Sequence, residues 1–254
     1  MPNTNGDGTR AAVLCRLLSQ VRESAAGGRS LVAIDGLDGA GKSVLAEELV
    51  QLAAQDGLRP VASLSIDGFH HPRSVRYTNG RGPDSFYRDS YDYEAFIRSV
   101  VIPFKQGASV VPSFWDVDAD VTVLPAQLDL PQNCVLLVDG IFLHRPELRD
   151  LWDASVWVQV PFTVSVPRGN ERIPGTYDSD PESQSNHRYV GGQRLYLAEC
   201  SPWKSATWIF DNEDLELPPC GDSLRSQRGT QGPRTQLPRT RRQPTKACQS
   251  PPLD

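Results

Sequence analysis

Cysteine pairs, histidine clusters, long apolar runs and a surplus of positive charge are all missing from this chain of 254 residues. The five cysteines, at positions 15, 134, 200, 220 and 248, are odd in number, widely spaced and free of any Cys-x-x-Cys pair. That pattern indicates neither a zinc site nor a disulfide framework, and it suits a reduced, cytoplasmic compartment. Four histidines with no thiols or carboxylates gathered around them argue against a structural metal site. No apolar run is long enough to span a bilayer, and the polar first ten residues lack a signal-peptide core, so no membrane partner is expected. A formal net charge of −5 provides no basic field for recruiting nucleic acid. No internal repeat is visible.

What is present is concentrated in residues 30–43, SLVAIDGLDGAGKS. The apolar run 31–34 reads as a buried strand. Gly36 to Ser43 then matches the phosphate-loop pattern G-x-x-x-x-G-K-[ST] at every fixed position. Glycines let backbone N–H groups turn inward around phosphate oxygens, and a helix predicted over 42–55 adds the positive end of its dipole. Gly36, Asp38, Gly39, Ala40, Gly41, Lys42, Ser43 and Val44 are therefore the expected phosphate-binding residues. Lys42 would reach the β- and γ-phosphates, and the Ser43 hydroxyl would ligate Mg²⁺. The chain binds a nucleoside triphosphate on this reading. An Asn-Lys-x-Asp guanine signature is absent, which argues against a GTPase switch.

Elsewhere the pattern alternates. Apolar spacing at Val13, Leu14, Leu17, Leu18 and Val21 predicts a helix over 11–24, and strands are expected at 60–66, 134–138, 155–160 and 206–210. Helices are expected at 93–104, 163–172 and 189–200, with a short helical turn at 147–152; the segment 109–124 has no clear assignment. Strands alternating with helices predict an α/β fold with a parallel sheet flanked by helices, whose ligands sit beyond the carboxyl ends of the strands. Gly36, Asp67 and Asp139 each follow directly on such an end. Residues 1–10 read as disordered. The segment 218–254, poor in large apolar residues, reads as a disordered basic tail; from Cys220 onward it carries seven Arg or Lys against two Asp. Weak nucleic-acid contact by that tail is the one such partner the sequence allows.

Phosphoryl transfer needs a phosphate cradle, neutralised charge and an oriented nucleophile. Asp67 is placed to take the proton of an acceptor hydroxyl, and with Lys42 it forms the expected catalytic pair. Asp139, closing the run Val-Leu-Leu-Val-Asp, is the expected second Mg²⁺-associated group beside Ser43. Arg168 and Arg172, four apart on the 163–172 helix, would share a face and act as lid arginines, although Pro167 is expected to interrupt that helix. His70, Arg73, Tyr87 and Asp92 are the expected acceptor-binding residues. The aromatics of that region could equally pack the loop onto the body.

The pieces IDGLDGAGKS (34–43), SIDGFHHPRSVRY (65–77), SFYRDSYDYEAF (85–96), VLLVDGIFLHRPELRDLWD (135–153) and RYVGGQRLYLAEC (188–200) together resemble the uridine kinase and phosphoribulokinase group of P-loop kinases. The resemblance covers about 11–217. It implies a P-loop NTPase fold of the nucleoside monophosphate kinase-like type with a lid, a kinase domain over 11–217, ATP as donor and Mg²⁺ as cofactor. By position it makes Asp67 the catalytic aspartate, Ser43 the Mg²⁺ hydroxyl, and Arg168 and Arg172 the lid arginines. The implied acceptor is a small molecule, foremost the 5′-OH of uridine or cytidine. Asp139 stands where uridine kinases commonly carry Glu. The segment 114–120 lacks the His and Arg that usually accompany Tyr in reading the pyrimidine, and a site that has lost such donors can change its substrate. Another small alcohol (pantothenate or a nicotinamide riboside) therefore stays open. So does a nucleotide-binding regulatory or degenerate protein without turnover.

Overall fold

All seven residues of β1 (Ser30–Gly36) are buried, so this strand must lie inside the sheet and be covered on both faces. The computed structural model describes residues 9–25, 27–124, 126–172, 174–214 and 224–226. Around β1 the chain runs α1 (Arg10–Arg22), β1, α2 (Lys42–Asp56), β2 (Val61–Ser65), one 3-10 turn (Ile66–Phe69), then α3 (Arg73–Arg76), α4 (Pro83–Asp89) and α5 (Tyr93–Phe96). A π-helical turn (Ile97–Val101) joins α5 to α6 (Ile102–Lys105). The hairpin β3 (Trp115–Asp116) and β4 (Val121–Thr122) precedes β5 (Val135–Gly140) and β6 (Ala154–Gln159). Then come α7 (Phe162–Asn170), α8 (His187–Cys200), α9 (Pro202–Ser205), β7 (Trp208–Asp211) and β8 (Leu224–Ser226).

The main sheet has the order β2-β5-β1-β6-β7-β8. Its first five strands are parallel, and β8 runs antiparallel to β7 at the edge. This is the expected α/β arrangement, a mostly parallel sheet flanked by helices. Register matters for function: Ile34 of β1 and Ser65 of β2 both pair with Asp139, so Asp139 lies at the carboxyl edge between the phosphate-loop strand and the strand leading to Asp67. Val13, Leu14, Leu17, Leu18 and Val21 of α1 and Leu45, Ala46, Leu49 and Ala53 of α2 are buried in the core. Both sets follow the three-to-four-residue spacing of one helical face.

Several boundaries differ from the sequence reading. Helix α1 starts at Arg10, capped by the Thr9 hydroxyl accepting from Ala12 N–H, so the expected disordered stretch ends sooner than residue 10. Residues 1–8 lie outside the described set. The helix expected at 93–104 carries a π turn in its middle because Pro103 has no N–H to return to Ser99. The freed Ser99 carbonyl instead accepts from Val111 N–H at 3.0 Å. Pro167 does not interrupt α7, which runs through it from Phe162 to Asn170. The helical turn expected at 147–152 is a run of hydrogen-bonded turns without a continuous helix: Leu148 and Arg149 N–H both donate to the Arg145 carbonyl, the second closing one helical turn, and Leu151 N–H donates to the Leu148 carbonyl. The 109–124 region, which has no clear assignment from sequence, holds the β3–β4 hairpin and a bridge from Val110 to Leu128. Of the expected disordered tail, Leu224–Ser226 is an edge strand with Leu224 buried; the rest of 218–254 lies outside the described residues.

Candidate active site

The loop after β1 is held from three sides. Gly39 and Gly41 adopt φ values of +74° and +88°, which L side chains rarely adopt. At Gly39 a Cβ would also stand 2.0 Å from the Ser165 carbonyl oxygen, so α7 packs directly on the loop backbone. Asn212, just beyond β7, donates through Nδ2 to the Ala40 carbonyl at 2.8 Å, and its Oδ1 accepts from Arg10 Nη1 at 2.8 Å. Arg10 also pairs with Glu48 of α2. Gln193 of α8 accepts from Asp38 N–H at 2.7 Å. Helix α2 then opens at Lys42, whose ammonium curls back onto the Leu37 carbonyl at 2.7 Å.

Beneath the loop, Asp35 is wholly buried and fully bonded. Its carboxylate accepts from Gly36 N–H, from His144 N–H and ring Nδ1, and from the Tyr196 hydroxyl. The His144 ring continues to Ser155 Oγ of β6 at 2.9 Å. A buried carboxylate would cost several kcal/mol if left unpaired, so this network fixes the strand-to-loop corner through all its partners at once.

On the open side, the Ser43 hydroxyl donates to Asp139 Oδ2 at 2.7 Å. Burial raises the Asp139 carboxyl above its ordinary 3.8, with the Ser43 hydrogen bond and the nearby Lys42 ammonium acting in the opposite direction. One hydroxyl and one carboxylate at a phosphate cradle are hard oxygen donors of the kind Mg²⁺ takes when substrate phosphates and water complete its shell. Among the described residues no group of three or more His, Cys, Asp or Glu gathers as an all-protein metal cage.

Asp67 lies in the single turn after β2 with its side chain about 58% exposed. Tyr91 donates its hydroxyl to Asp67 Oδ1 at 2.8 Å. The His70 ring leans on Tyr91 at 4.3 Å between centroids, and its Nδ1 lies 2.9 Å from the Asp67 carbonyl. Burial lowers the His70 pKa below its ordinary 6.5. It is therefore a neutral hydrogen-bonding group at neutral pH rather than a cation.

Two expected acceptor residues are placed otherwise. Tyr87 is a core residue: its hydroxyl meets Cys200 Sγ at 3.5 Å, its ring packs on Phe142 and Tyr196, and the Arg145 guanidinium covers it at 4.6 Å. Asp92 caps α5, accepting from Ala95 N–H at 2.8 Å. Its carboxylate is spent on the helix start. Arg73 faces the β3–β4 hairpin, with its N–H on Asp120 Oδ1 and its guanidinium on the Asp118 carbonyl. The two expected lid arginines part company. Arg168 donates to the carbonyls of Asn212 and Glu213, whereas Arg172, past the end of α7, pairs with Asp38 of the phosphate loop at 3.7 Å. Sequence reasoning missed Tyr91, Gln193 and Asn212, whose partners lie 24, 155 and 172 residues away. No local pattern carries such contacts.

No family model matches the chain. Among curated proteins, it is 22% identical over 135 residues to a uridine kinase of Shewanella frigidimarina (strain NCIMB 400), covering 53% of this chain and 64% of that protein. It is 29% identical over 144 residues to the inorganic pyrophosphatase TTM2 of Arabidopsis thaliana, covering 57% of this chain and 19% of that one. The match thus spans less than two thirds of either relative. Among solved structures, one from Bacillus stearothermophilus described as a possible uridine kinase superposes with a TM-score of 0.63 at 24% identity, covering 78% of this chain and 97% of the other. A protein of Silicibacter sp. TM1040 described as a fructose transport system kinase gives 0.61 at 25% identity, over 73% and 94%. Phosphoribulokinase from Rhodobacter spheroides gives 0.53 at 12% identity, over 79% and 80%. The fold is that of the P-loop kinases of uridine kinase and phosphoribulokinase type.

Proposed function

We infer that the chain is an ATP-dependent small-molecule kinase that moves the γ-phosphoryl group to a hydroxyl, foremost the 5′-OH of uridine or cytidine. The observation that carries this is the pairing of two units at one sheet edge. Ser43 bonded to Asp139 lies on the phosphate side, and Asp67 bonded to Tyr91 closes the adjacent strand end. Ser43 and Asp139 would hold Mg²⁺, which supplies charge neutralisation at the β- and γ-phosphates when bound. The loop amides and Lys42 bind and orient the triphosphate. Asp67 accepts the proton of the acceptor hydroxyl as its oxygen bonds to the γ-phosphorus and the bond to the β-phosphate oxygen breaks, leaving ADP. Arg172, whose guanidinium pairs with Asp38 of the loop, is the arginine this reading gives to stabilising charge on the transferring group; Arg168 ties α7 to the segment after β7. Three relatives described as a uridine kinase, a possible uridine kinase and a fructose transport system kinase agree with the reaction class.

A second acceptor class is favoured by one observation. Asp116 and Asp120 of the 114–120 segment are turned onto their own surroundings: Asp116 accepts from Asp118 and Ala119 N–H, and Asp120 from Arg73 N–H. With no His or Arg in that segment to read a base, a sugar or another small alcohol is the alternative acceptor. ADP release from Mg²⁺·ATP against uridine, cytidine, fructose, pantothenate, nicotinamide riboside and no acceptor tests the reading. Stimulation by a pyrimidine nucleoside is the expected result. Stimulation by another alcohol moves the substrate, and none at all with ATP still bound contradicts the kinase assignment.

A further inference from the structure

Tyr91 is 4% exposed, yet its hydroxyl emerges at the one carboxylate that the proposed reaction needs open. Its own position is over-determined. The backbone pairs His70 with Tyr91 in an antiparallel bridge, His71 N–H donates to the Ser90 carbonyl at 2.9 Å, and Asp92 N–H donates to the Phe69 carbonyl at 2.8 Å. On its far side Asp92 caps α5, and on its near side Ser90 Oγ closes on the Phe86 carbonyl. The ring is wedged between His70 at 4.3 Å and Tyr93 at 5.9 Å. A rigid donor thus meets an exposed acid, whose same oxygen also lies 3.9 Å from the His70 ring nitrogen.

We propose that Tyr91 is a positioning residue for Asp67: its hydroxyl fixes one carboxylate oxygen, so that the other points at the acceptor hydroxyl. This rests on the assignment of Asp67 as the base. Burial, joined by the Asp67 charge, pushes the Tyr91 phenol well above its ordinary 10, so it stays protonated and serves only as a donor. The proton taken from the acceptor therefore stays on Asp67 and does not pass to Tyr91. A base held to within a few tenths of an ångström of its working geometry loses rate, not substrate affinity, when the holding bond is cut.

The test is a mutant cycle of Tyr91→Phe, Asp67→Asn and the double variant, using the acceptor that stimulates ADP release. It is joined by crystal structures of the wild type and Tyr91→Phe. Tyr91→Phe is expected to lower kcat about tenfold or more, as for loss of a hydrogen bond to a charged group, with the KM values for ATP and acceptor within about twofold. In the Asp67→Asn background it is expected to cost nothing further. The Tyr91→Phe crystals should show the Asp67 carboxylate in a new or split rotamer, with the 67–71 and 90–92 backbone pairing intact. An unmoved Asp67 rotamer overturns the inference whether or not an acceptor is in hand. So does a Tyr91→Phe loss that persists undiminished in Asp67→Asn. An Asp67→Asn enzyme with full turnover instead removes Asp67 as base, a different failure that is read from that single variant alone.

Discussion

The Ser43 hydroxyl donates to Asp139 Oδ2 at 2.7 Å across 96 residues of sequence, joining the first turn of α2 to the end of β5. Parallel register puts Asp139 opposite Ile34, two residues before the loop begins, so the sheet fixes this contact as firmly as it fixes the strands. The same edge receives the chain from β2 and so delivers Asp67. On the proposed reading, a nucleotide-binding half and an acceptor half are thereby assembled on one scaffold, as expected at the carboxyl edge of a parallel sheet.

Asp139→Ala removes the carboxylate of this pair. Calorimetric titration with ATP is expected to show affinity falling about tenfold or more when Mg²⁺ is present and changing little when it is chelated. Equal losses in both conditions would assign Asp139 to the loop's architecture and not to the metal. Ser43→Ala should follow the same pattern.

Arg168 and Arg172 should separate by their effects. Arg168→Ala strands the Asn212 and Glu213 carbonyls and is expected to cost about 1 kcal/mol of stability, seen in denaturant unfolding. Arg172 is about 63% exposed in its side chain and meets Asp38 only at 3.7 Å, so Arg172→Ala should change stability by less than about 0.5 kcal/mol. Its kcat should fall about tenfold or more if it meets the transferring phosphate. Unchanged kcat would confine Arg172 to the surface.

A pH effect far from the site follows from α1 and α2. Arg22 donates to both oxygens of Asp56, at 2.6 and 2.8 Å. That hydrogen bond, helped by Leu58 N–H, lowers the Asp56 carboxyl from 3.8 to about 2. A folded pKa below the unfolded one means that the pair's stabilisation is complete above 3.8 and is lost as pH falls through about 2. Carboxyl NMR of Asp56 should therefore titrate near 2 in the wild type and return toward 3.8 in Arg22→Gln. A wild-type midpoint already near 3.8 would mean that the pair does not persist in solution.

What the sequence could reveal followed the range of each interaction. The phosphate loop is a contiguous pattern, and Asp67 and Asp139 could be read because each ends an apolar strand. Tyr87 and Tyr91 are four apart in one aromatic stretch, and nothing local tells which turns inward. Only the pairing of 67–71 with 90–92 sends Tyr91 to Asp67 and leaves Tyr87 under Arg145. Asp92 resembled a ligand because a capping carboxylate and a substrate-binding one are the same residue type until the helix start is known. Pro167 misled in the other direction, since packing of α7 on the phosphate loop at Ser165 and Gly169 outweighs the proline's preference.

The most direct test of the account follows the phosphoryl group itself. Wild type and Asp67→Asn would each be incubated with ATP labelled in the γ-phosphate, Mg²⁺ and the acceptor panel, with nucleotide affinity measured in parallel. The account predicts a labelled phosphorylated alcohol from the wild type and at least about a hundredfold less from Asp67→Asn, with ATP binding retained in both. Label found in no acceptor, or transferred equally well without the Asp67 carboxylate, would contradict it.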